Sequence, residues 1–229
     1  MTILLQGFEG PLFDWSWVRS HLTSEIIPAL VGHVYLSFVS VAIALVISLP
    51  TGVLVARYRK AYAPVTLVTG VLYTIPSLAL FAILVVVPGV GVGPKAVIIA
   101  LVAYSLLVLI RNVVAGIDSV PPETIDAARG MGLTEGQILL KVELPLALPV
   151  IIAGIRIATV TVIGIATIGA YIAGGGLGAL IFDGIDRSFP TMVITGAILA
   201  TALAVATDLL LLGIEHYFRP WARAAGRRG

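Results

Sequence analysis

Five long apolar runs limit what this chain can fold into more than anything else in it. They cover residues 33–56, 64–87, 95–117, 146–173 and 191–218. A hydrocarbon core of about 30 Å is crossed by roughly 20 helical residues, so each run is long enough to span a bilayer. Their interiors show little period-two alternation, which argues against a transmembrane β-barrel. Composition agrees: 59% of the 229 residues are hydrophobic and only 11% charged, with a mean hydropathy of +1.09. A water-facing domain carries about 25% charged residues. The expected protein is an all-α, polytopic membrane protein with about five transmembrane helices, resident in the cell (cytoplasmic or inner) membrane.

The cations orient the spans. Arg57, Arg59 and Lys60 follow the first run, Arg129 and Lys141 follow the third, and Arg219, Arg223, Arg227 and Arg228 follow the fifth. With five spans these fall on one side, leaving Arg19, Lys95 and Arg187 on the other. The positive-inside rule then puts the larger group in the cytoplasm, with the N-terminus outside and the C-terminus inside. Three parts follow: an extracytoplasmic or interfacial segment 1–32, a transmembrane domain 33–218 with a cytoplasmic insert at 119–145, and a basic cytoplasmic tail 219–229.

The first residues lack a basic stretch, and Gln6, Gly7 and Glu9 interrupt their apolar character, unlike a cleavable signal peptide. Trp15 and Trp17 suit a headgroup-level belt or a leader without fixed structure, and His33 falls at the expected interface. With no cysteine there is no disulfide framework and no thiolate metal site.

The insert, PPETIDAARGMGLTEGQILLKVELPLALP over 121–149, is polar inside an otherwise apolar chain. Ser119 is placed to cap a first helix opening on Pro121 and Pro122, where a missing N–H is tolerated. Glu123 and Asp126 lie early in that helix and Arg129 late, as its dipole favours, and Asp126 and Arg129 are spaced to pair. Gly130 and Gly132 supply a stop. Thr134 and Gln137 form a capping box for a second helix, which Leu144-Pro145 is expected to end. Ile125, Ala128 and Met131 are expected on one apolar face, Ile138 and Val142 on another. Two readings fit this helix pair: a loop folded back on the bundle, or a surface that receives a partner. Nucleic-acid binding is disfavoured, because Arg129 and Lys141 are too few to neutralise phosphates.

The insert also resembles a known family. Permease subunits of ABC importers carry a cytoplasmic E-A-A-x-x-x-G-x9-I-x-L-P motif. This chain has Asp126, Ala127, Ala128, Gly132, then nine residues, and Val142, Glu143, Leu144 and Pro145. Asp replaces Glu and Val replaces Ile. The resemblance extends to YTIPSLALFAIL (73–84), LIRNVVAGIDSVPPE (109–123), RGMGLTEGQ (129–137), LPLALPVIIAGIRIATV (144–160) and IAGGGLGALIFDGI (172–185), which are similar to importers of glycine betaine, carnitine, choline and proline. It implies the type I ABC importer permease fold, like that of the methionine importer. It further implies that the first insert helix is a coupling helix docking on an ATP-hydrolysing subunit through Asp126, Ala127, Ala128, Gly132, Val142, Leu144 and Pro145.

No G-x-x-x-x-G-K-[ST] occurs: in GVGVGPKA (89–96) Pro94 precedes Lys95 and no hydroxyl follows, and GAYIAGGGLGAL (169–180) has no lysine. Both are expected as turns. The resemblance therefore implies that ATP and Mg²⁺ are used by partner ATPase subunits, with no cofactor on this chain. It also implies an extracytoplasmic solute-binding protein and a second permease subunit, identical or paralogous.

Within the spans, Arg156 and Asp208 are costly charges; Asp208 is a candidate to pair with Arg156 or Arg111, or the charges to be solvated separately in a water-filled cavity, while Arg111 lies near enough to a span end to snorkel. Tyr73, Tyr104 and Tyr171 are candidate path residues, because quaternary ammonium solutes are attracted to aromatic faces; ordinary packing is the competing reading. The other function classes are a permease for another small solute such as an amino acid, an ATP-independent channel or carrier, and a membrane enzyme. A docking helix pair has no evident use in a carrier, and His21, His33 and His216 are scattered rather than grouped as a catalytic or metal motif.

Overall fold

The structure, a computed structural model, describes residues 12–218; the tail 219–229 lies outside them. All regular elements among the described residues are helical: α1 (Trp15–Ser20), α2 (Ile27–Arg57), α3 (Tyr62–Thr74), α4 (Ser77–Val86), α5 (Pro94–Asp118), α6 (Pro122–Gly130), α7 (Glu135–Ile138), α8 (Leu144–Ile168), α9 (Leu177–Asp186) and α10 (Pro190–Tyr217). Leu22–Arg57, Pro94–Asp118, Glu135–Ile172 and Pro190–Tyr217 are long and apolar enough to cross a bilayer, and α3 with α4 makes a fifth span if counted together.

Prolines account for several departures from the expected spans. The run 64–87 is not one straight helix: it breaks between Thr74 and Ser77 and bends by 96°. Pro76 disfavours a helical Ile75 and itself adopts an extended conformation, φ −56° and ψ 136°, as the cap of α4. Elsewhere proline is absorbed. Leu144-Pro145 does not end a helix, because Leu139–Glu143 forms a π-helical turn that runs straight into α8. There the Leu144 N–H bonds the Leu139 carbonyl, five residues back. The same device precedes Pro28, where the Ile27 N–H bonds the Leu22 carbonyl. A proline ring clashes with the carbonyl four residues before it, and the wider turn relieves that conflict while keeping the chain helical.

The chain divides into two compact units. The first comprises Met1–Ser40, Ile75–Val102 and Val160–Ala206. Its core gathers Ile26, Leu177, Leu180, Met192 and Ala200, with Trp17, Val18 and Phe189 packed against them. The first span starts at Leu22, after α1 and well before its expected start, so His33 lies within that span rather than at its beginning; it is wholly buried and donates from Nε2 to the Ile163 carbonyl at 3.1 Å. Residues 169–180, expected as turns, contain a short three-ten turn at Gly169–Ile172 and the start of α9. α9 exists because tertiary packing overrides its glycine content: a Cβ on Gly178 would lie 1.9 Å from the Thr167 carbonyl oxygen, so only glycine allows the approach.

The second unit comprises Val41–Thr74, Ala103–Thr159 and Thr207–Gly229. Here α2, α5 and α8 press together. Val113, Ile117, Ala147 and Ile151 form one buried cluster with Val53 and Ala56 against it, and Val55, Ile110 and Val114 form another. The polar insert is built on this unit.

Candidate functional site

The insert begins where α5 ends. Ser119 does not cap α6; its Oγ donates back to the Gly116 carbonyl at 2.6 Å, and Pro121 occupies the cap position without a side-chain bond. α6 stops as its glycines predict. Gly132 sits at φ +82°, its N–H bonds the Arg129 carbonyl at 3.0 Å, and the Leu133 N–H bonds the Ala128 carbonyl at 3.2 Å. This paired arrangement satisfies the free carbonyls of the helix end and needs a left-handed residue, hence glycine. α7 then opens on the capping box: the Gln137 N–H donates to Thr134 Oγ1 at 3.4 Å and the Thr134 N–H to Gln137 Oε1 at 3.0 Å.

Arg129 ties the two helices together. Its Nη1 reaches Asp126 Oδ1 at 3.1 Å, while Nε and Nη2 reach Glu135 Oε1 at 3.0 and 2.9 Å. The Glu135 hydrogen bond, reinforced by its charge and that of Asp126, holds the guanidinium above its ordinary basicity.

The motif residues divide by direction. Asp126, Ala127 and Gly132 are exposed, Ala128 is buried, and Val142, Leu144 and Pro145 are half-buried. Met131 does not share a buried face with Ala128. It is 74% exposed, because it lies beyond the last helical residue as the C-cap, where helical spacing no longer aims the side chain. Asp126, Ala127, Met131 and Gly132, with the 67%-exposed Leu140, leave a small-residue and apolar surface open on the insert.

Sequence reasoning overlooked what holds the insert at its ends. Glu143 is fully buried and accepts from Arg57 through both carboxylate oxygens, with Nη1 to Oε1 at 3.1 Å. Arg59 pairs with Asp118. An acidic residue inside the apolar stretch 138–155 was the available signal for Glu143, though not for its partner.

Of the membrane-embedded residues, the structure brings Arg156 and Asp208 together: Nε to Oδ1 at 3.0 Å and Nη2 to Oδ2 at 3.1 Å. Arg156 Nη1 also donates to Glu215 Oε2 at 2.8 Å. Glu215 went unnoticed in the sequence, although it lies two helical turns beyond Asp208 and so on the same face. Arg111 is exposed and is not the partner of Asp208. Tyr73 and Tyr104 meet edge to face with ring centroids 6.2 Å apart, Tyr104 buried and Tyr73 partly exposed. Tyr171 belongs to the first unit, is largely exposed and packs edge-on against Phe182 at 5.9 Å. No cluster of His, Asp or Glu suited to a metal ion occurs among the described residues.

The chain is similar to known proteins. Residues 48–223 match the family model described as binding-protein-dependent transport system inner membrane component. Over 197 residues the chain is 39% identical to the carnitine transport permease protein of Listeria monocytogenes, covering 86% of this chain and 89% of that protein. It is 42% identical over 189 residues to a choline transport system permease protein of Bacillus subtilis, covering 82% and 83%. It is 40% identical over 191 residues to an osmoprotectant import permease protein of Salmonella typhimurium, covering 82% and 89%. Among solved structures, an inward-facing form of the MetNI methionine ABC transporter superposes with a TM-score of 0.76 at 26% identity, covering 84% of this chain and 95% of that one.

Proposed function

This chain belongs to the family of inner-membrane components of binding-protein-dependent transport systems, and from that premise we propose that it is the permease subunit of an ATP-driven importer of osmoprotectants. The substrate class is small zwitterionic or quaternary ammonium solutes of the betaine, carnitine and choline kind. Relatives of that description at about 40% identity over more than four-fifths of the chain support this class over other small solutes.

The observation that carries the reading is the insert. Its caps and the Arg129 network join the two helices, and its open face sets the small Ala127 and Gly132, where a partner can approach closely, beside Asp126 and Met131. In the proposed mechanism an ATPase subunit seats on this face, binds ATP and Mg²⁺, and moves the insert as it hydrolyses. The spanning helices then switch access for a solute delivered by an extracytoplasmic binding protein, in concert with a second permease subunit. The carnitine- and choline-type solutes are cations or zwitterions with a methylated ammonium. The Tyr73–Tyr104 pair provides ring surface suited to such groups, and in the same unit the Arg156–Asp208–Glu215 cluster ties α8 to α10.

The test is uptake. The chain is produced with its ATPase and binding protein in cells lacking other osmoprotectant importers, and labelled glycine betaine, choline, carnitine and proline are supplied at high osmolarity. ATP-dependent accumulation of at least one, competed by the others in a definite order, is expected. Accumulation of an unrelated solute such as methionine, with none of these four, would overturn the substrate class.

A further inference from the structure

The insert has two necks, and one short loop holds both. The chain leaves the spanning helices at Asp118, the last residue of α5, and returns at Glu143, the last residue before α8. α2 ends on Arg57, and Arg59 opens the three-ten turn Arg59–Ala61 that follows. Arg57 grips Glu143, and Arg59 grips Asp118. We propose that Arg57 and Arg59 form a two-point clamp that makes the insert move as one body with α2, α5 and α8, so that Arg57, Arg59, Asp118 and Glu143 are positioning residues for energy coupling. The inference rests on the reading of the insert as the docking element of an ATPase.

Three observations carry it. Glu143 is only 1% exposed, and a carboxylate in that position is strongly disfavoured unless a cation meets it; Arg57 does so with both of its terminal nitrogens. Removing the partner would leave an uncompensated buried charge, so this neck is held tightly. The Arg59–Asp118 pair is more exposed and contributes little as a simple stabiliser. Its significance is its place, since it fixes the opposite neck to the same loop.

The second observation lies beneath the clamp. A Cβ on Gly52 of α2 would come 2.6 Å from Val113 of α5, and one on Gly116 of α5 would come 3.0 Å from the Ala147 carbonyl oxygen of α8. These helices are already in backbone-to-side-chain contact and have no slack in which to absorb a push. The third lies within the insert, where Arg129 joins α6 to α7 through Glu135. A stiff insert on a stiff helix trio transmits a displacement only if its necks are stiff too. The two arginines, Arg57 as the last residue of α2 and Arg59 just after it, tie both necks to that one helix end.

The assembled importer, with its ATPase and binding protein, is reconstituted in liposomes, and solute uptake and phosphate release are measured in the same vesicles. Asp118→Asn and Arg59→Gln are expected to insert normally and hydrolyse ATP near the wild-type rate, while moving about fivefold less solute per ATP, the lower end of ordinary coupling energies. Glu143→Gln is expected to lower that ratio further. The exchanged pair Arg59→Asp with Asp118→Arg is expected to recover most of the lost ratio. Amide hydrogen exchange on the same samples should rise at residues 118–120 and 139–143 in the single variants and fall back in the exchanged pair. An unchanged ratio in both Asp118→Asn and Arg59→Gln, or an exchanged pair no better than the single variants, overturns the clamp. A wild-type complex without ATP-driven uptake overturns the importer reading and the clamp with it, and is distinguished by failing before any substitution is made.

Discussion

The Arg156 cluster gives the most quantitative expectation. One guanidinium serves two carboxylates of α10, and the three side chains differ in exposure: Arg156 22%, Asp208 37% and Glu215 10%. Truncating one partner of a fully buried pair costs about 3–5 kcal/mol, because the survivor is left charged and unpaired. Asp208 is the more exposed of the two carboxylates, and Arg156 keeps Glu215, so Asp208→Asn is expected to cost least, about 1 kcal/mol. Glu215→Gln removes the more buried contact, at 2.8 Å, and should cost about 2 kcal/mol. Arg156→Gln removes the shared cation from both carboxylates of α10 and should cost the most, about 3 kcal/mol. The ranking is therefore Arg156→Gln, then Glu215→Gln, then Asp208→Asn. Because the groups are in contact, the Arg156→Gln/Glu215→Gln double variant should be less destabilised than the sum by about 1–2 kcal/mol. Unfolding in mixed micelles, followed by helical circular dichroism, measures all four. Additivity within about 0.5 kcal/mol, or an Asp208→Asn cost above that of Glu215→Gln, would refute the reasoning.

Four further outcomes follow from the insert and the N-terminus. Gly132→Ala forces a Cβ into a left-handed position at about 1–2 kcal/mol, and solute-stimulated ATP hydrolysis should fall while membrane insertion persists; unchanged stimulation would count against the docking surface. Ala127→Arg places bulk and charge on the exposed face without touching the core, and should abolish ATPase binding in pull-down from detergent while leaving thermal stability within about 0.5 kcal/mol. Thr134→Ala breaks the capping box and should weaken α7 by about 1 kcal/mol, read as faster amide exchange at Gln137 and Ile138. Asp14 caps α1, and bonds from the Ser16 hydroxyl and the Trp17 and Ser16 N–H groups hold its carboxyl below the usual range. Its contribution is therefore present above the unfolded value near 4 and is lost as pH falls through the lower folded value; Trp17 fluorescence should report the loss below about pH 4, and Asp14→Asn should remove that step.

Much of the fold was legible because its signals are local. Apolar length announced the spans, and the caps of α6 and α7 sit at Gly132, Thr134 and Gln137 as their chemistry requires. Where local rules failed, proline or long-range packing was responsible. The residues around Pro76 and Pro145 carry the same steric conflict, yet one breaks its helix and the other is carried through by a π-helical turn. Steric rules name the conflict; the resolution depends on what the flanking helices pack against. α9 was hidden because its glycines read as breakers, while Gly178 is the contact that seats it.

The candidate site divides in the same way. The spacing from Asp126 to Pro145, the insert's position between spans and the basic loops are properties of the sequence, because helix caps and topology act over a few residues or through counted charge. The partners of the charges are not. Arg57 meets Glu143, and Arg156 meets Asp208 and Glu215, across separations of 52 to 86 residues. A cation in a one-dimensional sequence has many possible counter-charges at that range. Only the close packing of α2, α5 and α8 and the docking of α10 on α8 bring one of them within bonding distance. The sequence alone determined that this protein spans a membrane and carries a polar handle; the tertiary structure decided how that handle is fastened, because ion pairs form where helices meet rather than where residues are adjacent.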